Sequence, residues 1–134
     1  MANALYDNGR DSFLQGSITW NSDTIKMALV SGGYTPNTST HTFWSSVTAN
    51  LIGTAVSLAS KSSSAGIANC ANVTFTSVAT GSTATYLVIY KDTGTASSSP
   101  LIAVIDTATG LPVTTNGGNI TVTIDTGSNK LFKL

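Results

Sequence analysis

Two Asp-Thr-Gly triplets, Asp92 to Gly94 in KDTGTA and Asp125 to Gly127 in IDTGSN, are the most catalytic-looking residues of this chain. A carboxylate on a tight turn after an apolar strand is how acid hydrolysis brings two Asp side chains close enough to share one proton. That chemistry needs a lobe around each triplet. Here both lie in the last third of a 134-residue chain, and only nine residues follow Asp125. Asp and Gly two positions apart at a strand end also make an ordinary turn, with Asp bonding local backbone and Gly taking positive φ, and this is the reading we expect. His41, the single histidine, has no Cys or carboxylate at ligand spacing, so a loop histidine held by hydrogen bonds is expected rather than a metal ligand. Cys70, in IANCANVTF, has no partner for an intramolecular disulfide and reads as a small buried hydrophobe. Serine is abundant, but G-x-S-x-G, P-loop and dinucleotide-binding patterns are absent. We expect no enzymatic activity, cofactor, metal or small-molecule substrate.

Composition narrows the classes further. Charged residues make up 9% of the chain, six acidic against six basic, with no Glu; Ser and Thr fill the polar positions. The charges are scattered, which leaves neither a basic patch for nucleic acid nor a steering field, and a near-neutral surface favours association. The length suits one domain over residues 1–134. No apolar run approaches ~18 residues and the start lacks a signal-peptide pattern, so we expect no membrane span and synthesis in the cytoplasm.

The positioning elements centre on Ala84 to Asp106, where Tyr86–Tyr90 and Leu101–Ile105 are apolar almost without a break around a Gly/Ser/Thr-rich turn. Such runs predict a central β-hairpin buried on two faces. Upstream, Asn3 is placed to cap a short helix from Ala4 to about Gln15 with Leu5, Tyr6 and Phe13 to one side, although Gly9 costs it about 1 kcal/mol. Thr24 to Ser31 alternates as a strand with one buried and one solvated face. Residues 32–50 read as a long loop with one helical turn, in which the Phe43 and Trp44 pair is a contact candidate. Thr54 to Ala59, Ile67 to Val78 and Ile120 to Ile124 follow as strands, and the KLFKL ending as a short strand pairing internally or with a neighbour. About seven short strands without a βαβ rhythm predict an all-β fold: an antiparallel β-sandwich or jelly-roll-like barrel with a short N-terminal helix.

Four stretches carry a resemblance. YKDTGTASSSPLIAVID, the opening NALYDNGRDSFLQGSITWNSDTIKMALV, the loop HTFWSSVTAN and the end TATGLPVTTNGGNITVTIDTGSNKLFKL together resemble small virion proteins of tailed bacteriophages. The chain departs from that pattern at Leu51 to Asn69, where some of those proteins have a Gly- and Tyr-rich segment. The resemblance implies a capsid decoration, or cement, protein on the outer face of the phage major capsid protein, located on the virion and expected as a homo-oligomer with a trimer favoured, since such proteins often act as trimers. A tail or fibre module is the alternative within the same virion class. On this reading the contacts are expected at Leu5, Tyr6 and Phe13 of the N-terminal helix and at Phe43 and Trp44 of the long loop.

Overall fold

The computed structural model describes residues 4–106, 111–124 and 131–133. In chain order the elements are β1 (Ala4–Leu5), α1 (Asp7–Leu14), β2 (Ile25–Ser31), β3 (Leu51–Ser57), β4 (Ser62–Ser64), β5 (Ile67–Asn69), β6 (Val73–Phe75), β7 (Thr83–Lys91), β8 (Leu101–Ile105), β9 (Val113–Thr114), β10 (Ile120–Val122) and β11 (Phe132–Lys133). The fold is all-β, antiparallel and sandwich-like, with one short helix.

β7 organises it. Val88, Ile89 and Leu87 are almost wholly excluded from solvent, because the main sheet, in the order β1-β8-β7-β2-β3, is covered on both sides. One face presents Ile25, Met27, Leu29, Leu87 and Ile89 to two small sheets, β10-β6 and β11-β5-β4, which contribute Ala68, Val73 and Phe75 to the shared core. Trp20 ties this layer together: its indole N–H donates to the carbonyls of Ser62 (3.0 Å) and Asn69 (3.3 Å), and its ring meets Phe132 edge-on. The opposite face presents Ala28, Val30, Val88, Tyr90, Leu101 and Val104 to Tyr6, Tyr34, Trp44 and Val47. The expected solvated face of β2 is therefore corrected. Ala28 and Val30 are buried as completely as Met27 and Leu29, because the loop over residues 32–50 folds back onto them.

The expected hairpin is β7 with β8, paired from Leu87↔Ile105 to Tyr90↔Leu101. Ile89 faces Ala103 while Tyr90 faces Leu101, so Ile102 is an extra residue in β8 and forms a bulge. The N-terminal segment then closes the free edge of β8. β1 pairs with Val104 and Ala103, the Tyr6 amide donates to the Ile102 carbonyl at 2.9 Å, and α1 lies over what remains.

The helix is shorter than Ala4–Gln15. It begins at Asp7 with Tyr6 in extended conformation at its N-cap and no side-chain cap, since Ala4 and Leu5 gain more by pairing with an open strand than by starting a helix. Asn3 lies outside the described residues. Gly9, a cost within the isolated helix, has its reason here: a Cβ at this position would stand 2.6 Å from the Leu101 carbonyl oxygen and 2.9 Å from the Ile102 Cα. At this position no side chain fits between α1 and β8.

Ile67 to Val78 is two strands rather than one, β5 and β6, which join different small sheets on either side of buried Cys70. β11 pairs internally, with β5.

Gly9→Ala is expected to destabilise the fold by about 1–3 kcal/mol through overpacking against β8 backbone, despite the about 1 kcal/mol that Ala would add to an unobstructed helix. Urea unfolding of the two proteins measures this; an equal or higher midpoint for the variant would contradict the close approach.

Candidate functional site

Asp92 and His41, two of the residues that looked chemically capable, are committed to local structural bonds. Asp92 accepts the Gly94 amide at 2.9 Å across a turn in which Gly94 has φ +89°, and it pairs with Lys26 of β2 at 2.9 Å. The expected turn is thus present at the first triplet. The Lys26 ammonium, and after it the Gly94 N–H, hold the Asp92 carboxyl below its ordinary range. Asp125 to Gly127, the second triplet, lie outside the described residues. Asp23 is bound in the same manner as Asp92. It accepts the Thr19 amide at 2.7 Å and pairs with Lys91 at 3.1 Å, and the Thr19 bond leads in lowering its pKa.

Cys70 is buried, and burial pushes its thiol up to about 11, which keeps it a neutral thiol near pH 7. Among the described residues no three of His, Cys, Asp and Glu gather as a metal site, and no helix is long and apolar enough to cross a membrane.

His41 sits in a tight turn. Its amide donates to the Asn37 carbonyl at 2.9 Å, while the Asn37 side-chain oxygen accepts the amides of Ser39 and Thr40, each at 3.1 Å. Nδ1 of His41 lies 2.8 Å from the Tyr34 hydroxyl, which lies 2.7 Å from the Tyr6 hydroxyl. Tyr6 is completely buried and Tyr34 nearly so, and desolvation raises the pKa of both phenols, so each keeps its proton. The same turn grips the helix start: the Thr38 carbonyl accepts the Asp7 amide at 2.9 Å, one of the donors a helix leaves unpaired, and the Thr42 carbonyl accepts the Asn8 side chain at 3.1 Å.

The five expected contact residues separate on this geometry. Tyr6 is a correction: it lies at the centre of the second core with no surface to offer, because the strand that precedes α1 turns it inward under Tyr34. Trp44 is also a correction. It is 7% exposed, and its ring stacks on Tyr90 with centroids 4.1 Å apart and planes 7° from parallel. Its neighbour Phe43 points the other way and keeps 36% of its surface, while its backbone forms a bridge with Pro100. Leu5 and Phe13 are partly buried against the first core, with the Phe13 ring 6.4 Å from that of Phe132. Leu14, passed over in the sequence, is 85% exposed at the last residue of α1. Its signal was its place on the helix opposite the stripe of Leu5 and Phe13.

The candidate surface is therefore α1 with the turn that holds it. Asn8 anchors the Phe43 end of the turn to the first turn of the helix, and Leu14 stands six residues further on, about 9 Å along the axis. Leu14 and Phe43 are the large hydrophobic side chains exposed among the described residues.

No model of a known protein family matches the chain, and no curated protein matches it.

Two measurements follow from this geometry. Trp44→Ala should cost about 3–5 kcal/mol as a large core truncation, whereas Phe43→Ala should stay within about 1 kcal/mol; chemical denaturation separates them, and equal costs would refute the opposite orientations. Because the Asp23 and Asp92 carboxyls are lowered in the folded state, their contribution is complete above the unfolded-state value of about 3.9 and is lost as pH falls through the folded values. The unfolding midpoint should drop from about pH 5 towards pH 3, and less steeply in Asp92→Asn; identical slopes would show that the Lys26 pair does not bias folding.

Proposed function

We propose that this chain is a capsid decoration protein of a tailed bacteriophage, one that attaches to the outer surface of the assembled major capsid protein and joins neighbouring subunits. The resemblance of its opening and closing stretches to such virion proteins carries the reading. The geometry agrees with it in one respect: Asp92 and His41 are held in structural bonds, Cys70 is buried, and the chain has no net charge and few charged residues, with Leu14 and Phe43 exposed.

Attachment of this kind needs no single strong contact. Copies bound as a homo-oligomer, a trimer in the favoured arrangement, would multiply weak contacts by effective concentration, often by ~10² or more. Few charges also mean little salt dependence, since a surface without a large field gains little from counter-ion screening.

Co-sedimentation with phage capsids lacking the protein tests this. Saturable binding at hundreds of copies per particle is expected, weakened about tenfold or more in the double variant Leu14→Asp with Phe43→Asp, which places charge where apolar contact is needed. Absence of binding to capsids together with binding to purified tails would overturn the proposal in favour of a tail or fibre module.

A further inference from the structure

The chain of hydroxyls that ends at His41 fixes a direction of hydrogen bonding, and the direction depends on one proton. A backbone N–H can only donate, and the Asn37 amide lies 3.3 Å from Nδ1 of His41 with hydrogen-bonding geometry. Nδ1 therefore carries a lone pair, and the ring proton of the neutral imidazole sits on Nε2. Tyr34 must then donate to His41, and Tyr6, fully buried with Tyr34 as the partner of its hydroxyl, must donate to Tyr34. Two hydroxyl hydrogens fill the two hydroxyl contacts, and the single lone pair of Nδ1 is shared between the Tyr34 hydroxyl at 2.8 Å and the longer contact from the Asn37 N–H at 3.3 Å.

A proton on Nδ1 breaks this arrangement by count. Three hydrogens, from Tyr6, Tyr34 and Nδ1, would then share the same two contacts. One hydrogen is left without an acceptor inside the second core, and the Asn37 N–H faces another N–H. A buried donor with no acceptor is among the more costly polar defects. The half-buried imidazole has a cheaper course, which is to leave the chain for water when it is protonated.

We infer that the Tyr6–Tyr34–His41 relay is an acid-sensitive latch: the neutral imidazole holds the turn over residues 37–42 against the start of α1, and protonation of Nδ1 releases it. The turn accepts the Asp7 amide at Thr38 and the Asn8 side chain at Thr42, so its release frees the helix start as well. The titratable and charged groups around the latch belong to several elements. They are Tyr6 ahead of α1, Asp7 and Arg10 on α1, which are paired with each other, Tyr34 in the loop, and Tyr86 of β7, whose ring meets that of Tyr34 edge-on at 6.2 Å. Burial keeps the Tyr6 and Tyr34 phenols protonated. Phe43 follows the turn directly, so the latch also sets how that side chain is presented. The inference does not depend on what the chain attaches to.

Amide hydrogen exchange on the full chain at pH 7.5 and pH 5.0, corrected for the intrinsic pH dependence of exchange, reads the latch directly. The amides of Asp7 and His41 should lose about tenfold or more of their protection at pH 5.0 while those of β7 keep theirs, and His41→Gln should abolish the difference. Equal loss in wild type and His41→Gln, or no loss in wild type, would overturn the inference. Nitrogen NMR of the wild-type imidazole at pH 7.5 provides a second test that holds even where the variant fails to fold. Protonation on Nε2 is expected, and a proton on Nδ1 would overturn the latch.

Discussion

Burial of β7 on both faces is the constraint from which the other features follow. A strand that runs Leu87, Val88, Ile89, Tyr90 has no side to give to water, and neither has β8 beside it. An antiparallel sheet of this kind needs two covers. The small sheets provide one, with Phe75 and Val73 packed on Met27, Leu29 and Ile89. The other is made from irregular chain: Tyr6 from the N-terminal segment and Tyr34, Trp44 and Val47 from the loop between β2 and β3. Irregular covers carry polar backbone that needs partners. The Trp44 amide bonds the Ser99 carbonyl at 2.8 Å, and carbonyls of the turn at Asn37 to Thr42 accept hydrogen bonds from α1. The chain thus spends its aromatic residues on holding loops to a sheet.

What could be read from the sequence followed from periodicity and stopped where packing decides. The β7–β8 hairpin and the double burial of its strands were legible because unbroken apolar runs admit few other uses. The second face of β2 was not, since Ala28 is small enough to sit in either environment and only the folded loop covers it. Phe43 and Trp44 show the same limit. Two adjacent aromatics in a loop look alike, and which one turns inward is set by the stacking partner, Tyr90, on a strand more than forty residues away. Gly9 appeared in the sequence as a local cost within a helix; the reason for it, backbone of β8 within touching distance, is a tertiary fact.

Of the residues expected at the surface, Tyr6 and Trp44 are interior. The N-terminal segment and the long loop meet, a juxtaposition the sequence did not indicate, and the side chains at their junction are mostly interior. Tyr6 and Trp44 give the junction its stability, whereas Leu14 and Phe43 give it a surface. The Asp-Thr-Gly triplet at Asp92 illustrates a related point: residue types that serve catalysis in one setting serve a turn in another, and the Lys26 and Gly94 partners identify the setting here. Lys91 pairs with Asp23 and Lys26 with Asp92, so these charges are neutralised within the fold.

Electron cryo-microscopy of phage particles assembled with and without this chain is the most direct measure of the central claim. The account predicts extra density of the size of this fold distributed over the outer capsid surface, with α1 and the turn before Phe43 against the shell. Density confined to the tail, or identical particles in the two preparations, would contradict it.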